Sequence, residues 1–192
     1  PTHRTAVIKK HPVFIRYFCS PHRNKFHFYQ GPEYEGVTQN DYMVSVVMHI
    51  NTHIKGAYVV SSGKNMVAFK GVGYPEDISE FFRLEDYKAY IWTAHNRFPT
   101  NTPGWWGGAH PFTLIDWSIV HNGEISSYGI NKRFIEMHDY QCTMQTDTDV
   151  VTYILDYLIR KHGLSFKAGC TVLAPPFWKD IERMPAEQIY AL

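Results

Sequence analysis

With 192 residues, 44% of them hydrophobic and 19% charged, the chain holds enough apolar material for one sizeable core, a single globular domain or most of one. Nineteen Lys and Arg against 18 Asp and Glu leave a formal charge of +1, which gives no electrostatic case for nucleic acid or a membrane surface, and no apolar run approaches the roughly 20 residues that span a bilayer. Three cysteines, an odd count without CxxC spacing, argue against a disulfide framework or structural zinc and for a reducing, cytoplasmic compartment.

The first 36 residues mix turn signals with strand-like pieces, Val13 to Phe18 and Lys25 to Tyr29. From Asp41 to Asn51, Tyr42, Val46, Val47 and Ile50 recur at helical spacing until Lys55-Gly56 breaks the pattern. Ala57 to Val60 then reads as a strand, Ser62-Gly63-Lys64-Asn65 as a turn, and Met66 to Phe69 as the hairpin partner. Pro75 to Phe82 predicts a short helix with proline in its first turn. Tyr90-Ile91-Trp92-Thr93-Ala94-His95 is apolar enough for a buried strand, and Ile119-Val120-His121 forms a second. Ile130, Phe134, Ile135 and Met137 follow a helical pattern. Thr146-Asp147-Thr148-Asp149 opens the clearest helix, with Val150, Ile154 and Leu158 on one line and Val151, Leu155 and Ile159 beside it. Thr146 and Asp149 have capping-box spacing, and Arg160-Lys161-His162-Gly163 closes the helix with cations and glycine. Pro185 to Gln188 begins another helix as the chain ends.

Three polar islands interrupt the apolar pattern: His95 to Thr102, His121-Asn122-Gly123-Glu124, and Thr146 to Asp149. Their side chains suit an amino-acid ligand. Arg97 can grip an α-carboxylate in bidentate fashion, Asp147 can pair with an α-ammonium, and Asn122 with the Gly123 backbone N–H can stabilise an oxyanion on a side-chain carbonyl. An isolated Asn-Gly reads as a hairpin turn, but a helical pattern follows here, so a tight two-residue hairpin fits poorly.

These islands, with Pro103-Gly104-Trp105-Trp106-Gly107-Gly108-Ala109-His110-Pro111-Phe112 between the first two, carry a resemblance to the class II, N-terminal nucleophile glutamine amidotransferases, above all to the glutaminase domain of archaeal-type glutamate synthases. It runs from about Asn51 to the C-terminus. The resemblance implies an α+β fold, the four-layer αββα sandwich of N-terminal nucleophile hydrolases, over a single type-2 amidotransferase domain spanning residues 1–192 and incomplete at both ends. It implies glutamine hydrolysis to glutamate and ammonia, with Asn122 and Gly123 stabilising the oxyanion and Arg97, Asp147, Thr100 and His121 binding substrate. Asp149 is expected to cap the helix instead. The nucleophile it implies is a cysteine at the mature N-terminus, whereas position 1 is Pro1, and the expectation is that this chain begins inside the domain. Ammonia would pass to a synthase module that makes glutamate from 2-oxoglutarate. Flavin (FMN), iron–sulfur clusters and a nicotinamide or ferredoxin reductant would belong to that module, since this chain has no Gly-x-Gly-x-x-Gly and no cysteine cluster.

Two other classes compete: an inactive module that binds glutamine, and a scaffold whose Trp105-Trp106 loop meets a partner or, equally, folds back on its own domain. Cys19, Cys142 and Cys170 are each expected to be free and buried or half-buried, not replacement nucleophiles. His95, His110 and His121 fall near the proposed site, but separations of 15 and 11 residues match no compact metal motif, so His95 and His121 are expected to shape the pocket.

Overall fold

The computed structural model describes residues 12–20, 37–96 and 104–189. Helix α1, Gln39–His53, begins with a full capping box: the Asp41 N–H donates to Thr38 Oγ1 at 3.2 Å and the Thr38 N–H donates to Asp41 Oδ2 at 2.8 Å. Helix α2, Pro75–Phe82, starts on proline, whose missing N–H costs nothing there, and stops at Arg83 in a left-handed conformation (φ 52°). Strands β1, Phe112–Leu114, and β2, Trp117–Ile119, form an antiparallel hairpin pairing Phe112 with Ile119 and Leu114 with Trp117. Helix α3, Tyr128–Glu136, follows, then α4, Asp147–Leu155, which continues as one wide π-type stretch, Asp156–Lys161, to a positive-φ Gly163. Short helices α5, Phe166–Leu173, α6, Trp178–Ile181, and α7, Ala186–Ile189, complete the described chain.

The core forms where α1, the hairpin and α3 converge on α4. Val44, Val47 and Met48 come from α1, Leu114 and Ile115 from the hairpin, Ile135 from α3, and Val150, Tyr153 and Ile154 from α4. Beneath α4, Arg160 grips the fully buried Asp156 through Nε and Nη2 at 2.8 and 2.7 Å and also pairs with Asp41, while the Tyr140 hydroxyl donates to Asp156 Oδ2 at 2.7 Å. The buried carboxylate is thereby neutralised and its lone pairs used, the condition under which a buried ion pair is tolerated.

Helices follow the expectations, and several strands do not. The hairpin expected between residues 57–60 and 66–69 is absent, because residues 60–64 have another partner. Thr113 Oγ1 donates to the Val60 carbonyl at 2.5 Å, the Ile115 N–H to Ser62 Oγ at 3.0 Å, and the Lys64 N–H to Asp116 Oδ1 at 3.3 Å. Each of these bonds joins a side chain to a backbone group, so the β1–β2 hairpin holds this stretch without a backbone ladder. The buried strand expected at Tyr90 to His95 is also corrected: it has no ladder, and Tyr90 and Ile91 are 92% and 68% exposed. Residues 13–18 likewise form no strand and lie exposed. An apolar run becomes a strand only when a neighbouring edge accepts its N–H and C=O groups, and neither run has one among the described residues. The expected strand at 25–29 lies outside them.

Candidate functional site

Two of the three islands meet at the N-terminus of α4. Thr146 is its N-cap, accepting the Asp149 N–H on Oγ1 at 3.1 Å, which corrects the expectation that Asp149 caps. The Asp149 carboxylate instead turns inward, accepts the Met144 N–H on Oδ2 at 3.2 Å and is bonded to the Tyr153 hydroxyl. Asp147, the first helical residue, points the other way. Its Oδ2 accepts the Ile125 N–H at 2.9 Å, fastening the segment that carries Asn122 and Gly123 to the start of α4. This position suits an anion, since the first-turn N–H groups and the helix dipole favour negative charge.

Asn122 and Gly123 lie beyond the end of β2, exposed, on the way into α3, so they are not a hairpin turn. The imidazole of His121 lies over Gly123, where a Cβ would approach Nε2 to 3.0 Å. Glycine therefore admits this ring as well as close ligand approach to its N–H. Arg97 and Thr100 lie outside the described residues.

His110 is buried beside α4. Its Nε2 is 3.3 Å from Thr148 Oγ1, its ring stacks on His95 with centroids 4.2 Å apart, and the Phe112 ring meets it edge-on at 5.1 Å. Thr148 Oγ1 in turn donates to Asp147 Oδ1 at 3.2 Å. Lys70, which the sequence reading did not single out, is buried as well. Its Nζ donates to the Gly107 carbonyl at 3.0 Å and sits 4.0 Å from the centre of the Phe112 ring, a cation–π contact. Burial lowers its pKa to about 8 and raises that of Asp149 to about 6. In sequence, Lys70 follows Met66-Val67-Ala68-Phe69 with nothing to mark it; only its burial and its bond to the distant Gly107 carbonyl set it apart.

The paired tryptophans fold back on the domain. Trp105, 44% exposed, lies so close over Gly107 that a Cβ there would come within 2.3 Å of its ring, while Trp106 packs against Phe14 at 5.6 Å and Phe81 at 6.3 Å. Of the cysteines, Cys142 is buried and burial pushes its thiol well above the ordinary range. Cys19 and Cys170 are exposed, against expectation: Cys19 lies in the stretch 12–20, which forms no helix or strand, and Cys170 is on the outer face of α5. Among the described residues, no three His, Cys, Asp or Glu side chains group as metal ligands, and no helix is long and apolar enough to cross a membrane. A cavity of about 280 Å³ lies apart from the islands, lined among others by Asp41, His138, Tyr140, Arg160 and Lys161.

Comparison with known proteins bears on the same segment. A protein of Archaeoglobus fulgidus described only as an uncharacterized protein is 55% identical over 185 residues, 96% of this chain and 47% of its own length. Glutamine–fructose-6-phosphate aminotransferase (isomerizing) of Vibrio cholerae is 26% identical over 118 residues, covering 62% of this chain and 19% of that protein. The enzyme of the same name from Acinetobacter baylyi is 31% identical over 94 residues, 48% of this chain and 15% of its own. The chain thus spans about half or less of these relatives. No solved structure matches. The family description "Glutamine amidotransferases class-II" matches residues 37–191, which hold the hairpin, α3, α4 and all three islands, and the chain belongs to the class II glutamine amidotransferases.

Proposed function

We propose that this chain is the glutamine-binding part of a glutaminase domain that releases ammonia for a synthase module. The observation that supports the reading is the Ile125 N–H to Asp147 bond, which fastens a carboxylate able to pair with an ammonium to the segment bearing an amide and a backbone N–H suited to an oxyanion. Arg97 would grip the α-carboxylate, Asp147 the α-ammonium, and Asn122 with the Gly123 N–H the developing oxyanion, with Thr100 and His121 completing the pocket. The four-layer αββα sandwich belongs to this proposal, as do a domain continuing beyond residues 1–192 and a cytoplasmic setting. The nucleophile is an N-terminal cysteine outside this chain: its thiolate attacks the amide carbon, its α-amino group moves the proton to the leaving nitrogen, ammonia departs, and water cleaves the thioester to glutamate.

The acceptor we propose is 2-oxoglutarate in a glutamate-forming module that would carry the flavin, iron–sulfur clusters and reductant. The names of the lower-identity relatives favour a second acceptor, fructose 6-phosphate. Supplying each acceptor to the native polypeptide with glutamine separates the two. For the domain itself, glutamine titration and ammonia release are measured on native polypeptide whose N-terminus has been sequenced. Arg97→Ala and Asp147→Ala should mainly weaken glutamine binding, because each leaves a charged ligand group unpaired. Asn122→Ala should slow ammonia release by roughly 10²- to 10³-fold. Unaltered affinity in both binding variants sinks the site; binding without ammonia release makes the chain an inactive glutamine-binding module, and neither makes it a scaffold.

A further inference from the structure

Asp147 does not hold its orientation alone. A carboxylate only accepts hydrogen bonds, so the 3.2 Å contact from Thr148 Oγ1 to Asp147 Oδ1 consumes the single proton of the threonine hydroxyl. The second neighbour of that hydroxyl, His110 Nε2 at 3.3 Å, must then be the donor, which fixes His110 with a proton on Nε2. The line of donors runs in one direction, from the His110 N–H to the Thr148 oxygen and from the Thr148 hydroxyl to the Asp147 carboxylate. Both His110 and Thr148 are buried, and His110 is braced between the faces of His95 and the edge of Phe112. Asp147 Oδ2 is meanwhile held by the Ile125 N–H. Each carboxylate oxygen is thus anchored once. Each keeps further acceptor capacity, since an ionised carboxyl offers about four lone-pair sites.

We propose that Thr148 and His110 are positioning residues that lock the Asp147 carboxylate for an α-ammonium group, so that this pair sets the selectivity of the site for α-amino acids over their deaminated analogues. The inference rests on the assignment of Asp147 to the substrate ammonium. A carboxylate fixed by two anchors loses less freedom on meeting a cation than one free to rotate, which is the gain from pre-organisation.

The test compares two probes by titration calorimetry on the native polypeptide: L-glutamine, and glutaramate, which keeps the carboxylate and amide but lacks the α-amino group. Thr148→Val keeps the shape of the side chain and removes the hydroxyl. It should weaken glutamine on the order of tenfold, as expected for a lost hydrogen bond to a charged group, and leave glutaramate unchanged. Thr148→Ser should restore glutamine affinity. His110→Phe keeps a ring against His95 and removes the donor; it should shift glutamine in the same direction by less, and add little on top of Thr148→Val. If Thr148→Val weakens both probes equally, the hydroxyl serves only the fold and the proposal is overturned. It is also overturned if Asp147→Asn weakens glutamine alone while Thr148→Val changes neither probe. If Asp147→Asn leaves glutamine affinity intact, the substrate assignment of Asp147 has failed instead, and the proposal with it.

Discussion

Replacing Asp149 by Asn should change how the stability of this domain depends on pH, and the size of the change can be worked from its surroundings. The side chain is 1% exposed, and burial raises its pKa from the ordinary 3.8 to about 6, against the opposing pull of the Met144 N–H and the Tyr153 hydroxyl. The folded state therefore binds this proton more tightly than the unfolded chain. Its contribution to stability is fully present below about pH 4 and is lost as pH rises through about 6. The difference between an unfolded pKa of 3.8 and a folded pKa of about 6 corresponds to about 3 kcal/mol in the limit of high pH. Asparagine is neutral throughout, nearly isosteric, and keeps an oxygen that can accept from Met144 and Tyr153. Lys70, the buried cation whose charge acts on Asp149, titrates near 8 and stays protonated across the window. Urea unfolding of both proteins at half-unit steps from pH 4 to pH 7 should show wild type losing about 2 kcal/mol of that relative to Asp149→Asn. A difference that is flat over the window, or that moves in favour of wild type with rising pH, would refute the account of Asp149 as a desolvated carboxyl.

Two further outcomes test the packing. At Gly63 an added Cβ would lie 2.4 Å from the Ile115 carbonyl oxygen and 2.9 Å from Asp116 Oδ1, so Gly63→Ala must push residues 60–64 off the hairpin; a loss of about 1–3 kcal/mol is expected in thermal or urea melts, and an unchanged melt would show that the stretch is not seated there. Arg160→Met should cost about 3–5 kcal/mol, because it strands the fully buried Asp156 carboxylate, and Arg160→Met with Asp156→Asn should recover part of that loss; a double variant no better than the single one would mean the guanidinium acts through its packing and not its charge.

What the sequence made legible were features whose cause is local. The α2 bounds follow from Pro75 and an apolar pair at Phe81-Phe82, and the start of α4 follows from Thr146. Helix α1 begins earlier than Asp41 because the capping box uses Thr38, a polar residue four places ahead of Tyr42, where the periodic run starts. Strands were hard to read because a strand is defined by its neighbour: Ala57 to Val60 and Met66 to Phe69 look like partners along the chain, yet Val60 and Ser62 are claimed by Thr113 and Ile115, more than 50 residues away. The site divides the same way. Asp147 and Asn122-Gly123 stood out as islands, whereas Lys70 and the contact between His110 and Thr148 join residues 37 and 38 positions apart, and no local pattern marks them.

The four residues at the start of α4 show how one short segment serves fold and site together. Thr146 satisfies the Asp149 N–H, Asp147 reaches out to the Ile125 N–H, Thr148 passes a hydrogen bond from His110 to Asp147, and Asp149 turns inward to the Met144 N–H. In the first turn of a helix, successive side chains point about 100° apart, so alternating short acceptors and hydroxyls can meet four different partners without competing. The two aspartates are thereby separated in chemistry although only Thr148 lies between them. Asp149 is desolvated and half-way to protonation near pH 6, which suits a core anchor, while Asp147 remains half-buried and bonded to the segment carrying Asn122, as the proposed ammonium partner must be. Exchanging their order would bury the charge proposed to meet the ligand and expose the anchor. The order of these residues, and not only their presence, therefore carries the proposed site.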